Sequence, residues 1–190
     1  MIISDVKNIK IAKKYANALL ESAIESGCSD KVYNDLIFVV ETVISNGQLA
    51  DILKNPIVKD SDKKDIINKL FSIHIDKITL ELLFVLADNR RLDILSEILN
   101  QFSNLYNKIN NIVKPYIISA VELNEEQKNK IIKKLENKLS KKVIPQYCIN
   151  EEIIGGLIIE IDDKTIDCSL KTKFDNMRKQ LTKGNKYGSY

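Results

Sequence analysis

The chain reads as an α+β protein: an N-terminal six-helix bundle over residues 1–112, then a small C-terminal α/β domain over 113–190. Three observations predict it. An apolar residue recurs every three or four positions from residue 7 to about 110, the period of helices buried along one face. The asparagine-rich stretch NKINN (107–111) ends that pattern, and beyond it short β-branched runs alternate with helical segments. The length of 190 residues corresponds to one or two domains at ~150 residues each, and 44% hydrophobic residues supply a real core.

Each element has its own signal. In the first helix Ile9, Ala12, Ala16, Leu19, Leu20 and Ala23 share a face, and Gly27 stops it. Val32, Leu36, Val39, Val40 and Val43 form the second stripe, which ends near Asn46-Gly47. A short helix over 48–54 runs into the break at Asn55-Pro56. Asp60 and Ser61 are expected to cap a fourth helix carrying Ile66, Ile67, Leu70 and Phe71. The fifth, over 77–89, is apolar on most sides and is expected to lie centrally in the bundle. The sixth carries Leu92, Leu95, Ile98, Leu99, Phe102 and Leu105.

After the boundary, 113–123 reads as β, with Pro115 marking a sheet edge or a strand start. Asn124 and Gln127 have capping-box spacing and open a helix to about Ser140, striped by Ile131, Ile132, Leu135 and Leu139. Strands are expected at 143–149, 157–161 and 165–170, the last two joined by a tight turn at Asp162-Asp163-Lys164. A last helix shows Leu170, Phe174, Met177 and Leu181, and the tail from about 183 is expected to be disordered.

Charge and chemistry exclude several classes. The 29 Lys+Arg nearly balance 26 Asp+Glu, which argues against a strongly basic nucleic-acid protein or an acidic tail protein. Residues 1–112 hold 14 basic and 15 acidic side chains, and residues 113–190 hold 15 and 11. The chain has 30 Ile, 26 Lys and 18 Asn, residues that share AT-rich codons, so an abundance of lysine is weak evidence of function. His74 is the single histidine, which removes any two-histidine metal site and argues against most metal and His-based chemistry; no motif along the chain points to a catalytic, cofactor or metal site. Cys28, Cys148 and Cys168 are odd in number and lack CxxC spacing, the pattern of reduced thiols. The opening MIISDVKNIK lacks the apolar stretch of a secretory signal, and no apolar run reaches the ~18 residues that span a bilayer. Contact with a membrane is therefore expected only through a partner or at the membrane surface.

Gly155-Gly156 fits neither GxGxxG nor GxxxxGK and is read as a structural turn where the backbone crowds. Asp162, Asp163 and Asp167 lack the spacing of an EF-hand loop, and Asp167 precedes a helix, where a carboxylate suits the dipole. The helix from Asn124 is rich in lysine, including Lys130, Lys133 and Lys134. Glu125, Glu126 and Glu136 interrupt that patch and no Arg is present to read bases, so a solvated face fits better than nucleic acid, and a partner helix with acidic residues is a third reading.

Five segments in order carry a family resemblance. They are IAKKYANALLESA, with Ala12, Tyr15, Ala16, Ala18 and Leu19 in an A-x-x-Y-A-x-A-L pattern; Asn55-Pro56 followed by Lys63 or Lys64; ADNRRLDILSEILNQF (87–102), with Asp88 where Glu is commoner; ISAVELNEEQKNKI (118–131); and IIGGLIIEIDDKTIDCSL (153–170), with Cys168 where Gly is frequent. Together they resemble the delta subunit family of bacterial F-type ATP synthases, the counterpart of the mitochondrial oligomycin-sensitivity-conferring protein. The resemblance implies a six-helix bundle followed by an α/β domain, and a non-enzymatic stator role on the cytoplasmic face of the bacterial plasma membrane. It implies that N-terminal helices of the alpha subunits dock between the first and fifth helices of the bundle. It also implies that the C-terminal end of the b subunit binds the second domain. Candidate interface residues are Ala12, Tyr15, Ala16 and Leu19 on the first helix, Asn89, Arg90 and Arg91 after the fifth, and Lys130, Lys133 and Lys134 on the basic helix. The small residues on the first helix equally suit packing of the bundle's own interior. Asn89, Arg90 and Arg91 equally suit a helix C-terminus, and Tyr15 is the better anchor for a contact. A generic helical adaptor and a weakly basic nucleic-acid module are the alternatives.

Overall fold

A computed structural model of the chain describes residues 2–161 and 163–184, and the side chains of residues 8–161 and 163–182. It divides into two compact units, Met1–Ile109 and Asn110–Tyr190. Among the described residues there are eight α-helices and six strands, an α+β fold.

The first unit contains α1 (Ile2–Glu25), α2 (Ser29–Ser45), α3 (Gly47–Lys54), α4 (Asp60–Phe71), α5 (Lys77–Asp88) and α6 (Leu95–Ile109). Gly27 ends α1 at φ +66°, its N–H reaching the Ile24 carbonyl while the Cys28 N–H reaches that of Ala23. This is the paired bonding of a Schellman cap. Asn46 caps α3 by accepting the Leu49 N–H at 3.2 Å. Asp60 and Ser61 do not cap α4. The N-cap is Lys59, which makes no side-chain capping bond, so Asp60 and Asp62 lie inside the first turn, where carboxylates favour the helix dipole. The sixth helix does not begin at Leu92 as a continuous α-helix: Leu92–Ile94 forms a 3-10 turn and α6 follows. The core draws Ala12, Ala16 and Ala23 from α1, Val32 and Leu36 from α2, Phe71 from α4, Leu83 and Leu86 from α5, and Ile98 and Phe102 from α6. The alanines let α1 lie close along α6, its most extensive neighbour. α5 packs against α4, α1 and α2 and buries Thr79, Leu82, Leu83, Leu86 and Ala87; its exposed residues Lys77, Glu81, Val85 and Asp88 share one face, so the helix is covered on its other sides.

The second unit contains β1 (Ile112–Val113), β2 (Tyr116–Ser119), α7 (Glu125–Leu139), β3 (Lys142–Val143), β4 (Gln146–Ile149), β5 (Leu157–Ile161), β6 (Lys164–Asp167) and α8 (Leu170–Gly184). The sheet order is β4-β2-β5-β6, with β2 and β4 parallel and the remaining pairs antiparallel; β1 pairs with β3 in parallel. Pro115 and Pro145 split two longer extended segments into β1/β2 and β3/β4, because proline has no N–H for the ladder. Backbone bonds from Ile144 to the Val113 carbonyl and from Gln146 to that of Pro115 carry the pairing across both breaks. Pro115 therefore precedes an interior strand, not an edge. The crossover from β2 to β4 runs through α7, whose capping box is complete: Asn124 accepts the Gln127 N–H at 2.8 Å and the Gln127 side chain accepts the Asn124 N–H at 3.0 Å. Ile117, Leu135 and Val143 form a small core, lined by half-buried Ile131, Ile132, Leu157 and Ile159.

The strand expected over 165–170 stops at Asp167. The Asp167 carboxylate accepts the Ser169 N–H at 2.8 Å and the Thr172 hydroxyl at 2.7 Å, and Ser169 Oγ accepts the Thr172 N–H at 3.2 Å. These side chains take up the free N–H groups of a helix start, so α8 begins at Leu170. The same bonds, led by that from Ser169, hold the Asp167 carboxyl below its ordinary range. α8 runs to Gly184, within the stretch expected to be disordered; residues 185–190 lie outside the described residues, as does Asp162 of the expected turn.

Candidate functional site

α5 is oriented by two carboxylates at its N-terminus. Asp76 is the N-cap and accepts the Ile78 N–H at 3.1 Å. Asp35, buried on α2, reaches across and accepts the Asp76 N–H at 2.6 Å and the Thr79 hydroxyl at 3.4 Å. Lys31 pairs with Asp76 at 3.1 Å. The Ile78 N–H first, then Lys31, hold the Asp76 carboxyl below its ordinary range, and Asp76 in turn raises the Lys31 ammonium. A side chain from α2 thus fixes where α5 starts.

α1 presents two kinds of residue. Ala12 and Ala16 are fully buried and Leu19 is 5% exposed, all within the unit's own core. This corrects the expectation of partner contact for these three: a side chain without accessible surface offers a partner nothing, and their small size serves packing inside the unit. Tyr15 is half-buried at the edge of that stripe and keeps surface available for contact, while Ile9 and Ile24 flank the other edge and are exposed.

Asn89, Arg90 and Arg91 form the C-terminal cap of α5. Arg90 takes φ +54°, its N–H bonds the Ala87 carbonyl at 3.0 Å, and the Arg91 N–H bonds that of Leu86 at 2.8 Å. The Asn89 side-chain amide donates to the Val85 carbonyl at 2.7 Å. Gly is usual at the position Arg90 holds, so a strained cap places an exposed guanidinium at the helix end, 3.4 Å from Asp60.

In the second unit, Lys130, Lys133 and Lys134 are exposed on α7. Lys130 pairs with Glu126 at 2.6 Å and Lys128 with Glu125 at 2.8 Å, so part of the basic face is neutralised within the helix. Lys130 also borders an apolar groove of about 440 Å3 lined by Val121, Leu123, Ile131, Ile154 and Leu157. Gly155 and Gly156 shape one wall. Gly156 lies at φ +82°, and a Cβ there would overlap the Cys168 carbonyl oxygen; a Cβ on Gly155 would sit 2.8 Å from Leu170 Cδ1. Ile154, just before them, is at φ +67°, an outlier for a β-branched residue.

His74 lies in the turn after α4 against the Phe38 ring, and the three cysteines are free. Among the described residues no group of three or more His, Cys, Asp or Glu is arranged to hold a metal ion, and no single helix is long and apolar enough to cross a membrane.

The sequence matches the family described as ATP synthase delta (OSCP) subunit over residues 11–181. The chain belongs to that family. A protein named ATP synthase subunit delta from Clostridium botulinum (strain Langeland) is 32% identical over 171 residues, covering 90% of this chain and 96% of its own. One of the same name from Clostridium perfringens (strain SM101) has the same identity and coverage. A chain in the mitochondrial ATP synthase hexamer of Toxoplasma gondii shares the fold, with a TM-score of 0.71 and 21% identity over 90% of this chain and 97% of that one.

Two features of this family member escaped sequence reasoning. Asp35 interrupts the apolar stripe of α2, and that misplaced charge was the available signal of a buried polar contact. The apolar stripe of α8 reads in sequence like a core face, yet Phe174, Met177 and Leu181 are more than half exposed.

Proposed function

We propose that the chain is the delta subunit of a proton-translocating F-type ATP synthase and serves as a peripheral-stalk linker between the catalytic head and the membrane sector. The observation that carries this reading is the family match over residues 11–181, which takes in both units rather than one. In this reading the helices of the first unit act as a six-helix bundle that receives N-terminal helices of the alpha subunits in the groove between α1 and α5. Tyr15 serves as an anchor there, with Asn89, Arg90 and Arg91 at the polar rim. The second unit holds the C-terminal end of the b subunit, with Lys130, Lys133 and Lys134 facing acidic side chains. The subunit lies at the cytoplasmic face of the bacterial plasma membrane, attached only through its partners.

The mechanical logic needs no reactive side chain. Rotation of the central shaft exerts torque on the head, and an untethered head would turn with the shaft and leave proton flow uncoupled. A tether needs firm binding at both ends. Buried apolar anchors from docked helices supply that firmness, and a polar rim fixes register.

The test uses the full-length chain and a peptide copying the N-terminal helix of the alpha subunit from the same organism. Hydrogen-exchange protection should appear in α1 and α5, and Tyr15→Ala should weaken binding about tenfold, the loss of a typical interface anchor. Protection confined to residues 110–184 would overturn the assignment of the two ends.

A further inference from the structure

α8 carries an apolar stripe left largely uncovered. Leu170, Phe174, Met177 and Leu181 are 40%, 57%, 57% and 76% exposed. Single apolar residues are ordinary on a surface, whereas an aligned row along one helix face marks a contact surface. Their spacing of four, three and four residues matches alternating d and a positions of a heptad seam. At 100° per residue the four span only about 60° of the helix circumference, the narrow stripe of a helix-to-helix seam. A helix that lies in a membrane surface carries a wider apolar face.

The flanks of the stripe are basic. With Phe174 and Leu181 at a and Leu170 and Met177 at d, the bordering e and g positions are Lys171, Lys173, Arg178 and Gln180. No acid stands among them. Pairing with a second copy of α8 would set cation against cation across either a parallel or an antiparallel seam, which disfavours self-association. A partner helix with carboxylates at these positions has the complementary charge. α7 can add charge to the same contact through Lys133 and Lys134 but not the apolar anchors: Ile131, Ile132, Leu135 and Leu139 are buried or half-buried, and Lys128 and Lys130 are already paired with Glu125 and Glu126.

We propose that α8 is the docking helix of the second unit. Its occupant is a partner-protein helix with apolar residues at a and d and Glu or Asp at e and g. The proposal rests on the stalk reading above and supplies the chemistry of that contact: the b-subunit end packs along the α8 seam.

The test uses the full-length protein with three probes: the C-terminal half of the b subunit from the same organism, the alpha-subunit N-terminal peptide, and vesicles of phosphatidylglycerol. The variant Phe174→Glu with Met177→Glu changes two exposed positions, so retained far-UV circular dichroism is expected. It should weaken binding of the b fragment by more than about tenfold, as loss of central apolar anchors does, and leave the alpha peptide unaffected. The charge reversal Lys171→Glu with Arg178→Glu should weaken b-fragment binding at low salt, with the gap to wild type narrowing as salt rises. Wild-type affinity for the b fragment in the apolar variant would overturn the α8 assignment and leave the stalk reading intact. Failure of the wild-type chain to bind the b fragment, with binding to the vesicles instead, would overturn both.

Discussion

The carboxylate that α2 lends to α5 is open to a quantitative test. Asp35→Ala removes the acceptor of the Asp76 N–H, a 2.6 Å bond, and of the Thr79 hydroxyl, a longer 3.4 Å bond. A hydrogen bond to a charged group contributes ~1.5–3 kcal/mol, and most of that belongs here to the shorter bond. The charge also faces the N-terminal dipole of α5, which adds ~0.3–1 kcal/mol. Repulsion between Asp35 and Asp76 opposes these gains, but Lys31 lies 3.1 Å from Asp76 and offsets part of it. The net expectation is a loss of ~2–3 kcal/mol for Asp35→Ala. Asp35→Asn, which keeps an acceptor oxygen, should lose ~1 kcal/mol. Hydrogen exchange read by mass spectrometry over residues 77–88 isolates the local opening of α5, and urea unfolding gives the global figure. A stability for Asp35→Asn above that of wild type would show that repulsion between the carboxylates prevails, and the capping argument would fail.

Three further perturbations have defined outcomes. Gly156→Ala places a Cβ against the Cys168 carbonyl oxygen at a positive φ, so it should cost ~2–4 kcal/mol, read as faster exchange in β5 and α8 with α1–α6 unchanged. Arg90→Gly relieves a left-handed arginine and should stabilise the first unit by ~0.5–1 kcal/mol in thermal unfolding, while weakening alpha-peptide binding if the guanidinium belongs to the rim. Tyr106 donates to Asp30 at 2.5 Å, and that bond, with burial, pushes its hydroxyl up to about 12. Tyr106 should therefore titrate late in ultraviolet difference spectra, burial raises Tyr147 as well, and Tyr106→Phe should remove the step near 12. Because the folded value is raised, this contribution is fully present below pH ~10 and is lost as pH rises through about 12. Asp76 works in the opposite direction: its lowered value gives stability that is present above pH ~4 and is lost as acid protonates it.

Local chemistry was legible in the residues themselves. The capping box at Asn124 and Gln127, the stop at Gly27 and the change of apolar period near Asn111 act over three to seven residues, a range in which neighbours in sequence are neighbours in space. Errors arose where two local signals competed. Asp60 and Ser61 resemble caps, but the chain turns into α4 one residue earlier; 165–170 looks β-branched, but Asp167 and Ser169 capture the first N–H groups of α8.

Periodicity states which side chains share a face and is silent on what lies opposite. Ala12, Ala16 and Leu19 on α1 and Leu170, Phe174, Met177 and Leu181 on α8 are the same kind of stripe in the sequence. Tertiary packing sends the first into the unit's own interior and leaves the second in solvent. Burial depends on elements far apart in the chain, as does the bond from Asp35 to Asp76 across 41 residues, and no local pattern encodes that distance.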